Sequence, residues 1–86
     1  MTLIEKIESY TRLWRVVLPH ITEPSAQDAA HWCDYEPSLV ERSILRVGRR
    51  FAPEKLPPGF NPQVAYRYTS GVLKSEDRLR AERDAQ

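Results

Sequence analysis

SLVERSILRVGRRF, residues 38–51, is the stretch on which the fold turns: it holds four arginines and one acid, and its apolar residues return at helical intervals. With Val40 at zero and 100° per residue, Ile44, Val47 and Phe51 fall at about 40°, −20° and 20°. Arg49, Arg42, Arg46 and Arg50 fall at about 180°, 200°, 240° and 280° on the same wheel. One side is a core face and the other a continuous arginine stripe, so the stretch predicts an amphipathic helix over 37–51. Gly48 has two readings. It either lies inside the helix, at a cost of about 1 kcal/mol relative to alanine, or caps its C-terminus and throws Arg49 and Arg50 out of line.

Working outward, prolines mark off three more helical segments. Upstream, residues 2–18 carry Leu3, Ile7, Tyr10, Trp14 and Val17 in an i+4, i+3 rhythm, with Ile4 and Leu18 widening the stripe. Thr2 and Glu5 have the spacing of a capping box, and Pro19 stops the helix at Leu18. Residues 24–34 begin with Pro24 in a first turn and carry the small-residue stripe Ala26, Ala29, Ala30 and Cys33 beside Trp32. Downstream, APEKLPPGFN places three prolines and a glycine within ten residues, so 52–60 is a loop. Asn61 then caps a last helix over 61–80 with Pro62 at its first position. Its inner face is expected to hold Val64, Tyr68, Gly71, Val72 and Leu79. The tail AERDAQ, 81–86, has no apolar residue larger than alanine and is expected to fray. The fold class is therefore all-α, a compact bundle of about four helices forming one domain over 1–80.

Size and composition narrow the function. A chain of 86 residues buries about 60–65% of its unfolded surface, which leaves little room for a deep pocket. No apolar run approaches the roughly 20 residues of a membrane span. The first ten residues have acids at positions 5 and 8 and lack the apolar centre of a signal peptide. The single cysteine, Cys33, fits a reducing compartment, so a cytoplasmic protein is expected. No nucleophile stands beside a base and no glycine-rich loop cradles a phosphate. The expectation is a protein that is not an enzyme and needs no cofactor. His31, Cys33, Asp34 and His20 are metal-ligand types without paired spacing, so Cys33 is expected in the core and His31 partly exposed.

The charge distribution carries the functional reading. A formal net charge of +1 conceals −3 over residues 1–36 and +5 over 37–80, and ten of the thirteen bases are arginine. Arginine suits bidentate recognition of phosphate or carboxylate. The stripe spans roughly 12 Å of helix, against about one phosphate charge per 1.7 Å of duplex DNA. Arg42, Arg46, Arg49 and Arg50 are the candidate nucleic-acid contacts. Arg67, Lys74 and Arg78, at i, i+7 and i+11 on the last helix, extend the patch if that helix packs alongside. The competing reading is a solvated face paired with Glu36, Glu41 and Glu54. Tyr66, two residues from Tyr68, projects about 160° from the inner stripe. It either stacks on a base or packs under the PPGF loop with its hydroxyl wet.

The run EPSAQDAAHWCDYEPSLVERSI resembles the middle of DnaD-type helical domains of bacterial primosome and phage replication proteins. Those domains show a short helix ending in tryptophan, then a helix opening with an apolar pair. Trp32, Leu39, Val40 and Ile44 fall at comparable places, and Tyr68, Val72 and Leu73 in YTSGVL are similar to a later tyrosine followed by an Ile-Leu-like pair. The resemblance covers about residues 23–75. The tryptophan expected after that pair is absent, with Glu76 near its place. The resemblance implies an accessory replication role, DNA contact through the C-terminal half and self-association. An alternative class is a non-catalytic adaptor or homodimerisation domain. Its motive is the first helix, which carries Leu13 and Val16 away from its core stripe, an excess that a second copy would cover.

Overall fold

The capping box forms as the spacing predicts: Thr2 Oγ1 accepts from the Glu5 N–H at 3.1 Å, and the Thr2 N–H donates to Glu5 Oε1 at 3.4 Å. In the computed structural model, which describes residues 1–85, this box opens α1 (Leu3–Val17). It is followed by α2 (Ala26–Ala30), a 3-10 turn (His31–Asp34), α3 (Pro37–Arg50), a second 3-10 turn (Pro53–Lys55) inside the expected loop, and α4 (Pro62–Asp84). The all-α bundle expected from the sequence is the fold. No strand occurs among the described residues.

The short second segment differs from expectation. Pro24 is buried ahead of the helix, and Ser25 is the cap, its hydroxyl accepting from the Asp28 N–H at 3.1 Å. The α-helix then lasts five residues and tightens into the 3-10 turn, where the adjacent Trp32 and Cys33 are both buried. The cysteine thiol donates to the Ala29 carbonyl at 3.6 Å, and burial pushes its pKa up from the ordinary thiol value. His31 is exposed.

Around this turn lies an aromatic centre. Trp14 stacks on Trp32 with centroids 5.9 Å apart and meets the edge of Tyr66 at 5.4 Å. Such pairs contribute about 0.5–1.5 kcal/mol each beyond their buried area. Their polar tips find partners: Trp14 Nε1–H donates to the Ile21 carbonyl at 3.2 Å, Trp32 Nε1–H to Ser70 Oγ at 3.1 Å, and the Tyr66 hydroxyl to the Thr22 carbonyl. Tyr10 is fully buried beside them, and its hydroxyl has no partner among the described residues.

α3 is the central element, packed against both α1 and α4. Val40, Ile44 and Val47 are fully buried as the wheel predicts, with Phe51 half-buried. Phe51 caps the helix and meets Phe60 and Tyr68 at centroid distances of 5.4 and 5.3 Å, which seats the proline-rich loop on the end of α3. His20 Nε2–H donates to the Phe51 carbonyl at 2.6 Å, so the loop after α1 closes the same end. Gly59 turns the proline-rich loop at φ 74°, where a side chain would be strained.

α4 departs from expectation in two ways. Of the expected inner face Val72 is buried and Tyr68 half-buried, but the other buried side chains are Ala65, Tyr66, Thr69 and Leu73, while Val64 and Leu79 are 44% and 49% exposed and Gly71 faces solvent. The buried arc is turned by about 100° from the expected one, with Val72 at the edge they share. Ala65 and Thr69 let α4 lie close while Tyr66 fills the space against Trp14. Thr69 stays satisfied by donating to the Ala65 carbonyl at 2.8 Å, as Ser43 does to the Leu39 carbonyl at 2.8 Å on α3. The tail expected to fray is helical as far as Asp84. Alanine, glutamate and arginine are good helix formers, and the Arg78–Glu82 pair at 3.3 Å spans one turn there. Gln86, the last residue of that tail, lies outside the described residues. In α1, Leu3 and Ile4 extend past the core at 56% and 69% exposure, so the buried stripe is shorter than its periodicity.

Candidate nucleic-acid interface

The arginine stripe survives as a helical feature because Gly48 lies inside α3. A Cβ on Gly48 would stand 2.2 Å from Val17 Cγ1, so the glycine is required where α1 crosses α3, and the helix continues through Arg50. Arg42, Arg46, Arg49 and Arg50 are all exposed. They have different surroundings. Arg46 Nη1 pairs with Glu76 Oε1 of α4 at 2.8 Å, and the Arg50 guanidinium sits 5.9 Å over the Tyr68 ring. Arg49 and Arg42 have no carboxylate partner among the described residues. Arg42 borders an open recess of about 300 Å³ that also takes Arg80, Arg83, Glu76 and Asp84.

Of the three acids expected to pair locally with the stripe, only Glu36 forms an ion pair among the described residues, and its partner is distant. Glu36 pairs with Arg80, forty-four residues away, and Glu76 with Arg46, thirty residues away; Glu41 and Glu54 form no ion pair among the described residues. These exposed pairs contribute little to stability, about 0–1 kcal/mol each. They do lower the charge available to a ligand.

α4 packs alongside α3, but the three α4 bases do not extend the arginine stripe across the seam. Glu76 and Tyr68 mark the side of α4 that meets α3. At 100° per residue Arg67, Lys74 and Arg78 point about 160–180° away from Glu76. Arg67 and Lys74 instead border a groove of about 370 Å³ between α4 and the α2 region, with His31, Trp32 and Ser70 on its walls. Arg78 lies farther along α4 and pairs with Glu82. The seven candidate bases therefore form two basic flanks. Tyr66 is 7% exposed in the core with its hydroxyl bonded, and its neighbours are Trp14 and the Thr22 carbonyl, where the sequence reading offered a base or the PPGF loop. Arg80 and Arg83 were absent from the candidate set; their nearness to Arg42 depends on how α4 lies across α3, which no local spacing encodes.

Among the described residues no group of three or more His, Cys, Asp or Glu side chains is gathered to hold a metal ion, and no helix is long and apolar enough to cross a membrane. No protein-family model matches the chain, and comparison with curated proteins and with solved structures finds no match.

Proposed function

We propose that this protein is a small, non-catalytic helical module that contacts the phosphate backbone of nucleic acid, in an accessory role in replication. One observation carries the reading. After the chain's own ion pairs engage Arg15, Arg46, Arg78 and Arg80, the exposed bases left with no carboxylate partner among the described residues include Arg42 and Arg49 on α3 and Arg67 and Lys74 on α4. The resemblance of residues 23–75 to DnaD-type domains points the same way. Contact is electrostatic and reads backbone, so it carries no base specificity. Non-specific affinity is then on the order of 10⁻⁴–10⁻⁶ M at physiological salt. Fluorescence anisotropy with short single- and double-stranded DNA tests it. Four contacts give a slope of log affinity against log salt near about −3 to −4, and an Arg42→Glu, Arg49→Glu double variant lowers it. Equal binding by that variant refutes the assignment to α3.

A second reading, self-association, rests on a separate surface. Leu13, Val16 and Leu45 border an open groove between α1 and α3, with Val16 74% and Leu45 48% exposed. Its polar flanks are Arg12 and Glu41, opposite charges that form no ion pair among the described residues. A second copy related by a two-fold axis covers the apolar centre and sets each Arg12 against the other copy's Glu41. Sedimentation shows this as a dimer that Leu45→Glu returns to monomer; a parent that stays monomeric at high concentration removes the reading.

A further inference from the structure

The two glycines inside helices have opposite surroundings. Gly48 is demanded by the fold, because a Cβ there collides with Val17. Gly71, in the middle of α4, is exposed, has no positive φ, and a Cβ on it would meet nothing within 4 Å among the described residues. Neither packing nor backbone conformation in this chain asks for glycine at that place, and a helix interior disfavours it relative to alanine. A bare stretch of helix backbone is useful where something outside the chain comes close.

The neighbours of Gly71 indicate what that is. Arg67 precedes it by four residues and Lys74 follows by three, so both share its face of α4. Neither has an ion-pair partner among the described residues. Ser70, half-buried beside it, accepts from Trp32 Nε1–H at 3.1 Å, which leaves the serine O–H proton pointing to no acceptor among the described residues. Asp28, the carboxylate that borders the same groove, accepts from the Ser25 hydroxyl at 2.9 Å. The bases stand seven residues apart, roughly 10 Å along the axis, with the glycine between them.

We propose that a sugar-phosphate strand of nucleic acid crosses α4 at Gly71, lying on the bare backbone while Arg67 and Lys74 close on its phosphates from either side and Ser70 donates to a phosphate oxygen. This rests on the phosphate-contact reading above and assigns it a strand path on the α4 flank. A side chain at position 71 lifts the strand away from both bases without changing any charge.

The test pairs binding with stability, using the full chain, Gly71→Ala and Gly71→Gln, and short single- and double-stranded DNA in anisotropy titrations across salt. Both variants melt a few degrees above the parent, since helix propensity improves and nothing is displaced. Binding moves the other way. Gly71→Gln loses roughly tenfold in affinity and its salt slope shrinks by about 1–2 as two phosphate contacts are lost, with Gly71→Ala between it and the parent. Variants that are stabilised and bind as the parent does overturn the strand path, while sensitivity to Arg42→Glu, Arg49→Glu would still uphold phosphate contact through α3. A parent that binds no DNA even at low salt overturns both.

Discussion

Val17 Cγ1 occupies the place where a Cβ of Gly48 would stand, at a separation of 2.2 Å, and this contact sets how closely α1 crosses α3. Valine is stiff at χ1, so it yields to an added methyl only by leaving its rotamer or pushing α1 outward. Gly48→Ala gains about 1 kcal/mol of helix propensity and loses more to overpacking, which typically costs about 1–3 kcal/mol. The expected outcome is net destabilisation by about 1 kcal/mol in urea unfolding. In a Val17→Ala background the same substitution becomes stabilising, and a double-mutant cycle measures the coupling.

Tyr10 is fully buried and its hydroxyl finds no hydrogen-bond partner among the described residues. An unsatisfied buried hydroxyl costs about 1–3 kcal/mol in desolvation. Tyr10→Phe keeps the ring and removes that cost, so stability rises by about 1 kcal/mol. A fall in stability on this substitution shows that the hydroxyl has a partner, such as a bound water.

Alkaline pH tests the same residue and Tyr66 together. Burial raises the pKa of Tyr10 above 10.0, and the negative charges of Cys33 and Glu41 add to it; burial does the same for Tyr66, helped by Asp28 and Glu23. The folded state thus keeps two phenolic protons that the unfolded chain releases first. Stability is fully present below the ordinary tyrosine value and falls as pH rises through the window between it and the raised folded values. Tyrosinate absorbance followed alongside unfolding shows this loss, and Tyr10→Phe flattens part of it. An alkaline limb unchanged by the substitution contradicts the assignment to Tyr10.

Glu76 holds Arg46 in an exposed pair at 2.8 Å. Glu76→Gln frees the guanidinium and removes one negative charge from the edge of the α3 flank. Folding stability changes by less than about 1 kcal/mol. DNA affinity at low salt rises a few-fold, with the salt slope steeper by up to about 1. Unchanged affinity with unchanged stability places Arg46 outside the phosphate contact.

Much of the fold was legible because its signals are local. Thr2 with Glu5, Asn61 with Pro62, and Pro19 act through hydrogen bonds and ring sterics within one turn, so helix starts and stops follow from neighbouring residues. The α3 face was legible because Val40, Ile44 and Val47 are its one apolar arc. α4 is less legible because it has two: Val64, Tyr68 and Leu79 share one arc and Ala65, Tyr66, Thr69 and Leu73 the other, and the second is buried, with Tyr66 set against Trp14 at 5.4 Å. Volume complementarity belongs to a pair of surfaces, and a wheel describes one.

The candidate site divides along the same line. Its inventory of bases and their helical alignment came from the sequence alone, since charge and 3.6-residue periodicity are properties of a single segment. Which bases remain unpaired was decided by tertiary structure: Arg46 meets Glu76 and Arg80 meets Glu36 only because α4 lies across α3. The meaning of the two helical glycines was decided there as well. One is identical to the other in sequence terms, and only the neighbour of a missing Cβ, a valine methyl at Gly48 and open solvent at Gly71, separates a packing requirement from a surface left bare.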